Sequence, residues 1–315
     1  MAVELKGRSL LTLKDWTPDE VRHVLDLSHR VKKEREKGKR RTRFKGMTLA
    51  LLFEKRSTRT RCAFETAFGE EGGYPVFLST ADIHLGAKEA VEDTARVFGR
   101  MFDAIQFRGF AQSTVETLAH WAGVPVYNGL TDDWHPTQVL ADLMTMEETF
   151  GSLAGRKLAF VGDGRNNMAH TLLVGCSQMG MHLTIVAPAT LLPAAEHVEW
   201  ARAMGAKTGA QILVTSDVET GVKGAEAVYT DVWVSMGEED KSAQRIALLS
   251  PYQVNDAMME KTGNRNAIFL HCLPAVKGKE VTVEVIEGSR SRVWDEAENR
   301  KHTIKAMMLA TLSRE

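Results

Sequence analysis

The chain has 315 residues, more than a single hydrophobic core usually organises, so two domains are expected. Hydrophobic residues make up 43% and charged residues 26%, an ordinary globular balance that excludes a disordered or collagen-like chain. Forty basic residues against 41 acidic ones give a formal charge of -1, which excludes a global field for nucleic acid or an anionic membrane and makes any anion site local. The longest clean apolar run, Leu49 to Phe53, is far below the ~20 residues of a membrane helix, and the start of the chain lacks the basic and apolar regions of a signal peptide. A cytoplasmic protein is expected. Cys62, Cys176 and Cys272 lack paired metal-ligand spacing and read as free thiols.

Along the chain, the first predicted element is a helix from Pro18 to about Lys37, followed by a basic run, Lys37 to Arg43, that reads as solvated surface. Leu5 to Leu13 is ambiguous. Short apolar strands then alternate with helices, the pattern of parallel sheets covered on both faces. Strands are predicted at Leu49 to Phe53, Val76 to Leu78, Ala104 to Phe107 and Val124 to Tyr127, with helices at Thr60 to Glu70, Lys88 to Arg100 and Ser113 to Trp121. Pro136 in the favoured first helical position opens a linking helix that reaches Phe150, where Gly151 offers a stop. A second strand series follows: Lys157 to Val161, Leu183 to Val186, Ala227 to Thr230, Ile268 to His271 and a last strand near Arg292 to Trp294. A closing amphipathic helix is predicted from Ala297 to Arg314.

The expected fold is therefore α/β, with two domains, each a parallel sheet flanked by helices, joined by interdomain helices. The boundaries are residues 1–135 for the first domain, 136–150 for the linking helix, 151–296 for the second domain and 297–315 for a helix returning to the first.

Candidate chemistry sits where strands end, because ligands bind beyond the carboxyl ends of the strands in open parallel sheets. Ser57, Thr58, Arg59 and Thr60 follow the first strand and open a helix, so backbone N–H groups, hydroxyls and a guanidinium point to a phosphate or carboxylate. An ordinary helix cap with a surface arginine is the competing reading. His135-Pro136-Thr137-Gln138 repeats the logic at the linking helix, and Arg108, just past the third strand, would reach the same crevice. In the second domain, Gly162-Asp163-Gly164-Arg165-Asn166-Asn167 sits where a dinucleotide fingerprint would lie, but Asn167 occupies the third glycine position, and paired amides suit a carboxylate better than a pyrophosphate. Asp231 and Ser235-Met236-Gly237 follow one strand and His271-Cys272-Leu273-Pro274 another. Taken alone, Asp231 is equally readable as a cap and Cys272 as a buried small hydrophobe.

Phe53-Glu54-Lys55-Arg56-Ser57-Thr58-Arg59-Thr60-Arg61, His135-Pro136-Thr137-Gln138, Asp231 with Ser235-Met236-Gly237, His271-Cys272-Leu273-Pro274 and Asp295-Glu296-Ala297-Glu298-Asn299-Arg300, in that order, resemble the motif series of the ornithine carbamoyltransferase family. The resemblance spans essentially the whole chain. It implies transfer of a carbamoyl group from carbamoyl phosphate to the side-chain amine of L-ornithine, giving citrulline and phosphate in arginine metabolism, with neither cofactor nor metal. It implies that Ser57, Thr58, Arg59 and Thr60 hold the phosphate, that Arg108 lies between phosphate and carbonyl, and that Arg300 is close by. His135 would donate to the carbamoyl oxygen and Gln138 accept from its amide. Asn166, Asn167, Asp231, Ser235 and Met236 would hold the amino-acid end of ornithine, with Cys272 and the Leu273 backbone flanking the reacting amine. It also implies a homotrimer, or a multiple of trimers, whose sites are shared between subunits through the loop Ser79 to Glu89, where His84 stands in place of the family's common glutamine.

Competing readings fare worse. An aspartate carbamoyltransferase would want basic side chains where Ser235-Met236-Gly237 stand, and a putrescine enzyme would have no need of Asp231, Ser235 and Asn167. A nicotinamide-dependent dehydrogenase is disfavoured by the broken glycine pattern, and a simple anion sensor has no use for His135 and Cys272.

Overall fold

A computed structural model describes residues 3–79, 89–234 and 242–312. Two compact units divide the chain: Met1–Met144 together with Glu298–Glu315, and Thr145–Ala297.

In the first unit, helix α1 (Pro18–Glu36) starts at a reciprocal cap. The Thr17 hydroxyl accepts the Glu20 N–H, the Glu20 carboxylate accepts the Thr17 N–H, and Pro18 fills a position that needs no donor. Strands β1 (Thr48–Phe53), β2 (Tyr74–Ser79), β3 (Ala104–Arg108) and β4 (Val126–Leu130) form a parallel sheet in the order β2-β1-β3-β4. β1 is buried from Leu49 to Phe53 without alternation, as a parallel strand covered on both faces must be. Helices α2 (Thr58–Gly69), α3 (Val91–Met101) and α4 (Gln112–Ala122) connect the strands. The chain leaves β1 to one side and β3 lies on the other, so the crevice beyond Phe53 and its register partner Arg108 is the topological switch point. Helix α5 (Pro136–Phe150) follows β4.

The second unit holds β5 (Lys157–Val161), β6 (His182–Val186), β7 (Ile212–Thr215), β8 (Ala227–Tyr229) and β9 (Ile268–Leu270), parallel in the order β7-β6-β5-β8-β9. Its helices are α6 (Asn167–Gln178), α7 (Ala195–Thr208), α8 (Val218–Val222), α9 (Ser242–Leu249), α10 (Asp256–Lys261) and α11 (Val283–Ile286). Here the order reverses between β5 and β8. The core on one face packs Ala159, Val161, Val228 and Phe269 against Met258, Met259, Val285 and Ile286. The final helix, α12 (Val293–Leu312), contributes residues to both units, as does α5. No helix of the described residues is long and apolar enough to cross a membrane.

The parallel α/β architecture expected from the alternation is present, with four corrections. Arg292 to Trp294 is not a strand: a single bridge joins Ser291 to Phe269, and α12 begins at Val293, earlier than Ala297. Apolar Val293 is buried in the first helical turn, which imitates a short strand in sequence. β7 is an additional strand: Ile212-Leu213-Val214 is a short apolar run at the sheet edge, only partly buried. β4 runs from Val126 rather than Val124, because Pro125 cannot donate to the ladder. Arg108 belongs to β3 instead of following it.

Gly129 in β4 is a packing constraint rather than a turn. A β-carbon there would stand 2.4 Å from the Gln106 amide nitrogen and 3.0 Å from the Thr60 methyl. Gly129→Ala is therefore expected to destabilise the chain by about 1–3 kcal/mol through overpacking, measured as a lower urea midpoint with unchanged slope.

Candidate active site

In the first unit, the Ser57 hydroxyl caps α2 by accepting the Thr60 N–H at 3.2 Å. The helix-cap reading of this turn therefore holds for Ser57. The first turn of α2 carries no acidic side chain, so its N-terminal dipole is not neutralised from within. Thr58 is exposed and Arg59 half-buried, while Thr60 turns inward and is fully buried.

Thr60 is the junction of the site. Its Oγ1 accepts from Arg108 Nη1 at 3.2 Å and from Arg300 Nη2 at 3.1 Å. A hydroxyl oxygen has two lone pairs, so both acceptor sites are occupied and its proton is left as a donor. Arg300 also lies 3.4 Å from the Thr137 hydroxyl in the first turn of α5. Arg108 and Arg300 are both buried, at the end of β3 and on α12.

His135, directly before α5, is buried beside these groups. Burial first, then the charges of Arg300, Arg108 and Arg59, push its imidazole well below the ordinary histidine range. It is therefore neutral at physiological pH and can offer one N–H without adding a fourth positive charge. Gln138 donates its amide nitrogen to Asp142 at 2.9 Å, which orients the carboxamide oxygen as the acceptor end. The first unit thus brings Thr60, Arg108 and Arg300 together, with His135 under the charges of Arg300, Arg108 and Arg59, and Gln138 in the first turn of α5.

The second unit has the opposite character. After β5, Asn166 caps α6 by accepting the Ala169 N–H at 2.8 Å and reaches across the switch point to donate to Asp231 Oδ2 at 3.2 Å. Its carboxamide thus makes one bond at each end and retains a second N–H and a second lone pair. Asn167, half-exposed, is the first residue of α6. Cys272 donates its thiol to Asp231 Oδ1 at 3.1 Å, and the Val232 N–H donates to the same oxygen at 2.8 Å. Burial raises the Asp231 carboxyl above the usual carboxylate range, opposed by His271, the thiol and the Val232 N–H. Leu273 adopts φ 57°, a region costly for a residue with a β-carbon. Its N–H is held by His271 Nδ1 at 2.8 Å, and His271 Nε2 faces the buried Glu280 at 3.4 Å.

Asp231, His271 and Cys272 bring potential metal donors within 4.8 Å of one another. The thiol is directed at Asp231 and the Nδ1 lone pair at the Leu273 N–H, so these donors are already engaged. A separate cavity of about 310 Å³, lined by Thr145, Glu148, Thr149, Arg292 and Asp295, contains none of the candidate residues.

His84, Ser235 and Met236 lie outside the described residues. Sequence reasoning missed Asp142, although its spacing of four from Gln138 on one helix was a usable signal, and Thr137, Gln106, His271 and Glu280 as supports. Gln106 lies two residues before Arg108, hence on the same face of β3, and is fully buried beneath Gly129 and beside Thr60.

The α/β scaffold thus carries a cluster of guanidinium groups around a buried imidazole at one switch point and a carboxylate–thiol pair at another. Residues 8–148 match the carbamoyl-P binding domain, and residues 154–311 the Asp/Orn binding domain, of aspartate/ornithine carbamoyltransferase; the chain belongs to that family. Ornithine carbamoyltransferases of Caldanaerobacter subterraneus subsp. tengcongensis and Thermotoga maritima are 67% and 62% identical to it, each over 99% of this chain and 100% of the relative. The solved structure of the Pyrococcus furiosus ornithine carbamoyltransferase superposes with a TM-score of 0.96 at 40% identity, covering 99% of both chains.

The depressed His135 has a measurable consequence. The unfolded chain takes up that proton near pH 6.5 and the folded chain does not, so stability should fall as pH drops below roughly 6.5 and recover above it. Nitrogen NMR on the free protein should find His135 neutral at pH 6, and an imidazolium signal there would refute the assignment.

Proposed function

We propose that the chain is an ornithine carbamoyltransferase, carrying the carbamoyl group of carbamoyl phosphate to the side-chain amine of L-ornithine. The single observation that carries the reading is the Thr60 hydroxyl shared by Arg108 and Arg300 beside a neutral buried imidazole. A dianionic phosphate relieves the mutual repulsion of those guanidinium groups, and a carbonyl oxygen that gains negative charge finds donors already oriented.

In this reading Ser57, Thr58 and Arg59 bind phosphate with the N–H groups of the α2 start, and Arg300 and Arg108 complete the clamp. Thr60 donates its remaining proton, and His135 its N–H, to the carbamoyl oxygen, while the Gln138 carboxamide oxygen accepts from the carbamoyl amide. Asp231, with Asn167, Ser235 and Met236, holds the α-amino acid end of ornithine, and Cys272 with the Leu273 backbone flanks the reacting amine. Ser235-Met236-Gly237, standing where an aspartate enzyme would want basic side chains for a second carboxylate, favours ornithine over aspartate.

The step balances without a cofactor. Ornithine loses a proton from its side-chain ammonium to solvent, the neutral amine attacks the carbamoyl carbon, and the tetrahedral intermediate collapses with cleavage of the carbon–oxygen bond to phosphate, which leaves with the second amine proton. A homotrimer with His84 of one subunit reaching the site of the next belongs to the same proposal.

Citrulline formation from carbamoyl phosphate and ornithine tests the whole reading, and no product above the uncatalysed rate refutes it. Asp231→Asn should raise the KM for ornithine about 100-fold, the worth of a charge-assisted pair, and leave carbamoyl phosphate binding within about threefold. Arg59→Ala should do the reverse. Turnover of putrescine comparable to that of ornithine by the wild type would transfer the assignment to a diamine substrate.

A further inference from the structure

Helix α12 delivers Arg300 to Thr60, yet nothing in that one contact determines where a twenty-residue helix sits along its neighbours. Beside its buried apolar residues and the Thr311 bond to Tyr127, a second set of charges contributes to that placement. Lys301 and Lys305, one turn apart and on one face, both reach Glu70 at the C-terminal end of α2, at 3.4 and 2.9 Å. Arg35 of α1 binds the same carboxylate. Lys305, its side chain only 5% exposed, also lies 3.5 Å from Glu71, which is 4% exposed. Glu71 in turn is gripped by Arg43 through two bonds of 3.0 and 2.7 Å, and Arg43 extends to Glu34 of α1 at 3.0 Å. Asn299 accepts from Lys32 of α1 at 2.7 Å.

The same helix α2 thus begins with the turn that Arg300 touches and ends with the carboxylate that Lys301 and Lys305 touch. Arg300 and Lys301 are neighbours, about 100° apart around the helix, so anchoring the lysine face fixes the rotation and the translation that aim Arg300. Burial pushes the Glu70 carboxyl up, but hydrogen bonds from Lys305 and Arg35 with the charge of Lys301 outweigh it and hold it at about 2, so this anchor is ionised throughout the physiological range.

The geometry points to Glu70 and Glu71 as positioning residues that set the register of α12 on α2 and so place the Arg300 guanidinium at the phosphate turn. This rests on the reading of that turn as the carbamoyl phosphate site. The tie acts on one substrate only, which separates it from a general contribution to stability.

The test uses the full chain and inorganic phosphate, followed by calorimetry and by citrulline kinetics. Glu70→Gln should weaken phosphate binding and raise the KM for carbamoyl phosphate by about tenfold, or about 1.4 kcal/mol, with the KM for ornithine within twofold of wild type. Lys305→Met should match it, and Lys305→Arg, which keeps the charge, should return to wild-type phosphate affinity and KM. Should Glu70→Gln fail to fold, Lys301→Gln carries the same test with a shift of about threefold, since Lys305 still holds Glu70. Folded variants with wild-type phosphate affinity, or with both substrate KM values raised equally, would overturn the positioning role. Wild type that forms no citrulline would instead overturn the function proposed above, and phosphate calorimetry would still decide the role of Glu70.

Discussion

Three guanidinium groups converge on one neutral imidazole in the first unit, and like charges so close repel one another strongly in a desolvated setting. Much of the unit can be understood as scaffolding against that repulsion. Arg108 is the last residue of a central strand and pairs in register with Phe53, so its backbone cannot retreat. Arg300 rides on a long helix tied by ion pairs to α1 and α2. Thr60 accepts from both and is itself held by the Ser57 cap and by the narrow gap that Gly129 leaves. Histidine can stand among these cations because burial removes its proton; a lysine there would add to the repulsion. Such pre-organisation is the condition for stabilising charge that appears only in the transition state.

The second unit solves a different problem with the same topology. There the switch point gathers a carboxyl that burial pushes toward its neutral form, with an amide, a backbone N–H and a thiol compensating. A carboxyl poised in this way gains more from an arriving ammonium than a fully solvated one, because ion pairing replaces desolvation as its dominant environment. Fold alone would not separate these roles, since parallel sheets of this kind serve many chemistries. The sign of the charge at each strand end does.

Most of the fold was legible in the sequence because parallel strands covered on both faces are uninterrupted apolar runs. The two misses differ in kind: Ile212-Leu213-Val214 of β7 meets that condition and was legible, whereas Val293 is a buried helical residue between exposed or half-exposed neighbours and imitates a strand. The candidate residues that sit at strand ends, from Ser57 to Cys272, were readable from position and motif. Their supports were not. Asp142, Glu70, Glu71 and Lys305 carry no motif, and the contacts that give them meaning join residues up to 235 positions apart. Gln106 is a further case, since a glutamine inside a β-strand reads as an exposed position, whereas this one is wholly buried.

The protonation states also constrain where pH control of turnover must reside. His135 does not change charge across the neutral range, and the three arginines remain protonated, so the first unit presents a constant charge to its ligand. The variable is the nucleophile. An unperturbed ornithine side-chain amine with pKa near ~10.4 is neutral in only about one molecule per thousand at pH 7.4. Rate should therefore rise with pH until the bound amine has lost its proton, and the apparent pKa of that rise measures how far the site favours the neutral amine. Asp231 opposes that shift if its charge faces the side-chain ammonium and leaves it untouched if it faces the α-ammonium. Assigning Asp231 to the α-amino end, with the Cys272 thiol and Leu273 backbone next to the reacting nitrogen, is thus the arrangement in which one buried carboxylate can bind a substrate with two ammonium groups without suppressing the reactivity of the second.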